Sequence, residues 1–216
     1  MTLNRERPWE QWHTKQDGVV VADVVVQHLL TPGQRREQWR GIRWLPGEPG
    51  ESVLDVPCAN ANYLPFFTED RGMVYTGLDY CEAMIEAARA EHPGADLLIG
   101  DAAALPVGDT EYDLVFCTDL LLHMPEEYDF IVLGELLRAA RKYVAVHWRV
   151  VTEPPAASRT DRWGCIYRWP PNDQHIRRMD AHLREVAGGL SWEWHTRGPR
   201  RIGQRAGEDI YLVVAK

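Results

Sequence analysis

The chain has 216 residues, 45% of them hydrophobic and 26% charged, with a formal net charge of −8. That is enough apolar material for one core and too little chain for two full catalytic domains; the composition excludes a disordered, collagen-like or coiled-coil protein. The charge is uneven, with residues 1–46 summing to +2, 47–146 to −14 and 147–216 to +4, and the acidic total argues against nucleic acid or an anionic membrane surface as a partner.

The opening residues, MTLNRERPWEQWHTK, contain no apolar signal core, and no apolar run is long enough to span a bilayer. The four cysteines form no CxxC pair, so a reduced, cytoplasmic setting is expected. Residues 18–30 carry apolar side chains at helical spacing, and 32–45 read as a second, amphipathic helix. PGEPG at 46–50 breaks the chain, dividing an N-terminal helical cap (1–46) from the main domain (47–216). Strand-like runs then alternate with helical ones: strands at 52–56, 74–79, 95–100, 112–118 and 143–150, helices at 81–92 and 126–142. Such alternation implies an α/β fold, a parallel sheet with helices on both faces. Residues 151–172 hold two Pro-Pro pairs and no period, which suggests a lid. A helix over 173–188 follows, then strands at 191–196 and 209–215 joined by a basic loop at 197–208.

The chemistry gathers in SVLDVPCANANYL (52–64). A strand ends in Asp55, and small residues follow where backbone must approach a ligand closely. The second strand ends in Asp79, placed to accept from ribose hydroxyls, and the third ends at Asp101. All three carboxylates belong to the carboxyl edge of one sheet, where open α/β folds bind ligands.

Four stretches, VLDVPCANANYL, TGLDYCEAMIEAAR, LLIGDAAALPVGDTEYDLVFCTDLLLHM and LGELLRAARKYVAVH, are similar in wording, order and spacing to the S-adenosylmethionine-dependent methyltransferases of the Rossmann-like class I fold, especially those acting on small molecules. The resemblance covers residues 50–150 and implies a seven-stranded sheet in the order 3-2-1-4-5-7-6, the last strand antiparallel. It implies S-adenosylmethionine as cofactor and S-adenosylhomocysteine as product. Asp55 and the loop positions Pro57, Ala59 and Ala61 would lie by the amino-acid part, Asp79 on the ribose with Leu78 and Tyr80 beside the adenosine, Asp101 and Ala102 at the adenine, and Thr118 at the amino end.

The family's loop is Asp-x-Gly-x-Gly-x-Gly, whereas here Pro57, Ala59 and Ala61 replace all three glycines. Alanine is costly where φ is positive, so Asn60 and Asn62, which tolerate left-handed geometry, are expected to remake the turn. The replacement also opens an alternative reading, a catalytically silent binding or regulatory protein. For a catalytic base, His123 leads, then Asp119, then His147 at the end of the fifth strand. All nine tryptophans lie outside 50–147, in the segments expected to hold substrate. Trp163 and Trp169, with Arg149, Arg162 and Arg168, point to a small aromatic or anionic substrate, with oxygen the leading acceptor, then nitrogen, then carbon. Arg197, Arg200, Arg201 and Arg205 read as a solvated turn rather than a nucleic-acid surface. Cys58, Cys81 and Cys117 follow neighbouring strands but read as ordinary thiols, and no metal is expected.

Overall fold

A computed structural model describes residues 32–151, 159–160, 166–167, 173–186, 188–202 and 205–216. The expected helix at 18–30 and most of the expected lid lie outside them. Seven strands form one sheet: β1 (Ser52–Asp55), β2 (Val74–Asp79), β3 (Asp96–Ile99), β4 (Tyr112–Thr118), β5 (Ala140–Val151), β6 (Ser191–Ile202) and β7 (Arg205–Ala215). Their order is β3-β2-β1-β4-β5-β7-β6. The first five pair in parallel, and β7 runs antiparallel to both β5 and β6. This is the α/β architecture anticipated from the strand–helix alternation, with the Rossmann-like strand order that the resemblance implies.

Every residue of the central strand β4 is buried, as a strand covered on both faces requires. One core holds Leu54, Val115, Val146, Trp148 and Leu212. It is covered by α3 (Asp129–Ala139), through Val132, Leu133 and Leu136, and by α4 (Asp173–Val186), through Met179 and Leu183. The opposite core holds Val53, Leu114, Phe116, Ala145 and Tyr211. α2 (Glu82–Glu91) covers it with Ile85 and Ala88, and α1 (Pro32–Ile42) and the turn after it contribute Ile42 and Leu45. The end of the N-terminal segment therefore belongs to the domain core.

Three segments depart from the simple strand–helix alternation. The chain between β1 and β2 is a series of turns and a five-residue π-helix, Phe66–Asp70, rather than a regular helix. Phe66 and Phe67 are fully buried there and supply the apolar wall that a crossover helix would give. The basic stretch 197–208 is mostly strand, because β6 and β7 run on to Ile202 and from Arg205. Within 151–172, Arg159–Thr160 and Ile166–Tyr167 form a short antiparallel ladder.

Candidate functional site

β1, β2 and β3 are in register, Asp55 opposite Gly77 and Asp79 opposite Ile99, so their ends form one edge with Asp55, Asp79 and Asp101 in a row. The loop after β1 is strapped onto β2. The Cys58 N–H donates to the Leu78 carbonyl (2.8 Å), and the Ala59 N–H to Asp79 Oδ2 (2.8 Å). Gly77 permits this approach, since a Cβ there would come within 2.9 Å of Cys58 Sγ and 2.8 Å of Leu97 Cδ2. The left-handed residues of the loop are Ala59 (φ 48°) and Ala61 (φ 57°); Asn60 and Asn62 are not left-handed. The expectation that the asparagines remake the turn is therefore corrected: the alanines keep the glycine-type backbone and carry its strain. The Val56–Pro57 peptide is cis.

Asp79 accepts from Ala59 on one oxygen and from the Cys81 N–H on the other (2.8 Å). Backbone N–H groups on both oxygens fix the orientation of this carboxylate at the end of β2. Asp101 Oδ1 accepts from the Ala103 N–H (2.8 Å). Leu78 and Ala102 are buried along the same edge, and Tyr80 is half-buried. Asp55 is fully buried beneath the loop, where its Oδ2 accepts from the Tyr75 hydroxyl (2.7 Å). Its Oδ1 is buried with no hydrogen-bond partner among the described residues. Burial pushes this carboxyl up to about 8; the Tyr75 hydroxyl pulls the other way, and the charge of Asp79 adds to the rise. Burial, reinforced by nearby carboxylates, also pushes the Cys58 and Cys117 thiols up, so both are neutral side chains. No group of three or more His, Cys, Asp or Glu among the described residues is arranged to hold a metal ion.

Beside this edge, a small, partly open cleft lies between α1 and the strands β5 and β7. It is lined by Glu37, Gln38 and Gly41 of α1, by Tyr63 just beyond the loop, and by His147, Asp209 and Tyr211. His147 stands opposite Thr118 on one side and Tyr211 on the other. Its ring lies 4.7 Å from that of Tyr211. Its Nε2 is 3.0 Å from Asp209 Oδ1, and its Nδ1 is 3.4 Å from Asp119 Oδ1. Asp119 follows β4 directly, at φ 57°.

Of the three base candidates, the structure brings His147 and Asp119 together. His123 sits on a separate 3-10 turn, Leu121–His123, beside Ile166–Tyr167, and is not among the residues lining the cleft. Trp163, Arg162, Arg168 and Trp169 lie outside the described residues. Arg149 is placed in β5 opposite Asp209 by its backbone. Trp192 and Trp194 both donate from Nε1 to Asp180 Oδ1 of α4 (2.9 Å), so they pack the sheet rather than line the cleft. Sequence reasoning passed over Asp209, Tyr211, Tyr63 and Glu37. The available signal was the strand DIYLVVA, whose partner had to be the strand carrying His147.

Residues 53–143 match the family model described as a methyltransferase domain. The chain is 29% identical over 127 residues to a demethylmenaquinone methyltransferase of Renibacterium salmoninarum, covering 58% of this chain and 52% of that protein. It is 32% identical over 124 residues to a 2-methyl-6-phytyl-1,4-hydroquinone methyltransferase of Synechocystis, covering 56% and 38%. The match therefore spans about half or less of these relatives' length. Among solved structures, a magnesium protoporphyrin IX methyltransferase from Synechocystis with bound S-adenosylmethionine superimposes with a TM-score of 0.59 at 20% identity, covering 95% of this chain and 89% of that one.

Proposed function

Given that the chain carries a methyltransferase domain of the Rossmann-like, S-adenosylmethionine-dependent class, we propose that it transfers a methyl group from S-adenosylmethionine to an oxygen of a small metabolite. The observation that carries this reading is the row of Asp55, Asp79 and Asp101 along one sheet edge, with a loop of glycine-type backbone folded against it. The residues fit the cofactor. Asp79 presents a carboxylate fixed by two backbone N–H groups to two vicinal hydroxyls, and Asp101 offers a carboxylate to an amino group. Leu78, Tyr80 and Ala102 supply the flanking surface, Thr118 lies at the amino end, and Pro57, Ala59 and Ala61 form the loop. When bound, the cofactor supplies an electrophilic methyl group on a sulfonium.

The rest falls to the cleft. Tyr63 and Tyr211 provide apolar ring surface for the acceptor, and α1 forms one wall of the cleft. Alignment of the acceptor lone pair with the methyl carbon supplies much of the rate enhancement. Within this reading, His147 takes the acceptor's proton, with Asp119 beside it. The quinone-type relatives and the porphyrin methyltransferase support a small, ring-bearing acceptor.

Calorimetric titration with S-adenosylmethionine and S-adenosylhomocysteine tests the proposal. Binding to the wild type, lost by at least about tenfold in Asp79→Ala as two hydroxyl contacts disappear, is the expected result. No binding at millimolar cofactor would overturn it. A second reading, a fold that binds without turnover, is favoured by the Ala59 N–H already resting on Asp79. It predicts binding with no S-adenosylhomocysteine formed against any acceptor.

A further inference from the structure

The loop that carries Ala59 and Ala61 is held from two sides. On its inner side the Ala59 N–H rests on Asp79 Oδ2. On its outer side stands α1. The indole N–H of Trp39 donates to the Asn62 carbonyl (3.2 Å), and the Trp39 ring lies 6.2 Å from that of Phe66. One turn earlier on the same helix face, Arg35 Nη1 pairs with Glu91 Oε1 (2.6 Å) at the end of α2. The Arg35 side chain is 13% exposed, so this is not one of the freely solvated pairs that hold little. Arg35 keeps the Glu91 carboxyl below its usual value, against the opposing effect of burial, and the Asn60 amide adds to the lowering. Asn60 is fully buried, and its Oδ1 accepts from Asn62 Nδ2 (2.6 Å). The two asparagines flank the left-handed Ala61 and join it to α1 and α2.

We propose that Trp39 and Arg35 are positioning residues for the cofactor: they clamp residues 60–62 from outside and keep the alanine loop in the backbone that glycine adopts unaided, with the Ala59 N–H on Asp79. This rests on the methyl-transfer reading above, which gives the loop to the cofactor. Glycine enters the left-handed region without penalty, whereas alanine is driven out of it. The inner hydrogen bond fixes Ala59 alone. Ala61 is fully buried, and its N–H reaches only the Cys58 carbonyl within the loop (2.8 Å), so its hold on the rest of the molecule passes through its neighbours. Asn62 is followed directly by Tyr63, which lines the cleft and packs edge-on to Phe116 (5.1 Å). One helix thus steadies the donor loop with Arg35 and Trp39 and lines the acceptor cleft with Glu37, Gln38 and Gly41.

Amide hydrogen exchange, followed by NMR on the full chain without ligand, tests the clamp. Trp39→Phe keeps a ring against Phe66 and removes the donor to Asn62. It is expected to speed exchange at Ala59 about tenfold, the worth of one hydrogen bond. Calorimetric titration should then show the affinity for S-adenosylhomocysteine lowered about threefold, because fewer molecules present the closed loop. Arg35→Met should act in the same direction, and Arg35→Lys, which keeps a cation on Glu91, should stay near the wild type. Val132→Ala, which lowers global stability from the opposite core, should leave both readouts unchanged. The deciding variant adds Ala59→Gly and Ala61→Gly. With the strain relieved, Trp39→Phe should cost little affinity, since the loop no longer depends on α1. Unchanged exchange at Ala59 in Trp39→Phe would overturn the proposal. So would Val132→Ala reproducing the effect, the mark of a helix that only supports the core, or an affinity loss undiminished by the glycines. Failure of S-adenosylhomocysteine to bind the wild type would instead overturn the methyl-transfer reading, because exchange at Ala59 is read without it.

Discussion

At the residue scale, the loop after β1 shows how a changed motif keeps its shape. The family's glycines are absent, but Ala59 and Ala61 adopt the left-handed backbone themselves. Each costs about 1–2 kcal/mol in that region, offset by contacts such as the Ala59 N–H on Asp79. Ala59→Gly is therefore expected to raise stability by about 0.5–1 kcal/mol, the relief of strain outweighing the added entropy of the unfolded chain. Ala59→Val should lower it; urea denaturation measures both. Asp79 and Asp101 were legible in the sequence because a carboxylate ending a buried strand is a local signal. The backbone state of the alanines was not, since it is set by what the loop rests on. Asp209 was equally hidden: its contact with His147 spans 62 positions and depends on the register of two strands.

At the element scale, the α/β alternation followed from the apolar runs and the strand order from the resemblance, and the elements with strong periodicity fell within a few residues of expectation. Two kinds of element did not. The π-helix between β1 and β2 has no clear period, and only the burial of Phe66 and Phe67 explains its place. The extended ends of β6 and β7 are polar and basic, and hydrogen bonding across the hairpin makes them strands. α1 matters more than a loose cap would. Beyond its end, Trp44 packs edge-on to Tyr211 (5.3 Å) and near His195 (4.2 Å), with the Arg197 guanidinium over its ring. Ile42 is 2% exposed. Ile42→Ala should cost about 3 kcal/mol by leaving a cavity under the helix, seen as a lower urea midpoint with an unchanged slope.

At the scale of the whole molecule, the acidic middle of the sequence divides by position in the fold. At the far end of the strands, Asp113 accepts from Ser52 N–H (3.0 Å) and pairs with Arg141 (2.9 Å), and Glu51 meets Lys142, so those carboxylates are compensated. At the carboxyl edge Asp55 is enclosed without a cation and holds a proton to about 8. Its sign is the reverse of a paired carboxylate. From the ordinary carboxyl range up to about 8, the folded chain keeps a proton that the unfolded chain has released, so this group makes stability fall as pH rises. The slope approaches about 1.4 kcal/mol per pH unit for one proton. Thermal unfolding across that window should show Asp55→Asn flattening the decline. No helix among the described residues is long and apolar enough to cross a membrane.

The division of labour between the strand edge and α1 bears on how such a protein changes over time. The carboxylate row is built on β1, β2 and β3, whereas Glu37, Gln38 and Gly41 of α1 form one side of the cleft and Trp39 of α1 donates to the Asn62 carbonyl of the loop. The helix is anchored at its end by Ile42 and, beyond it, Leu45, which leaves its cleft-facing positions open to substitution. On the proposed methyl-transfer reading, acceptor selectivity can drift through three positions on one helix while the carboxylate row is kept. A library confined to those positions would sample new acceptors without altering β1, β2 and β3.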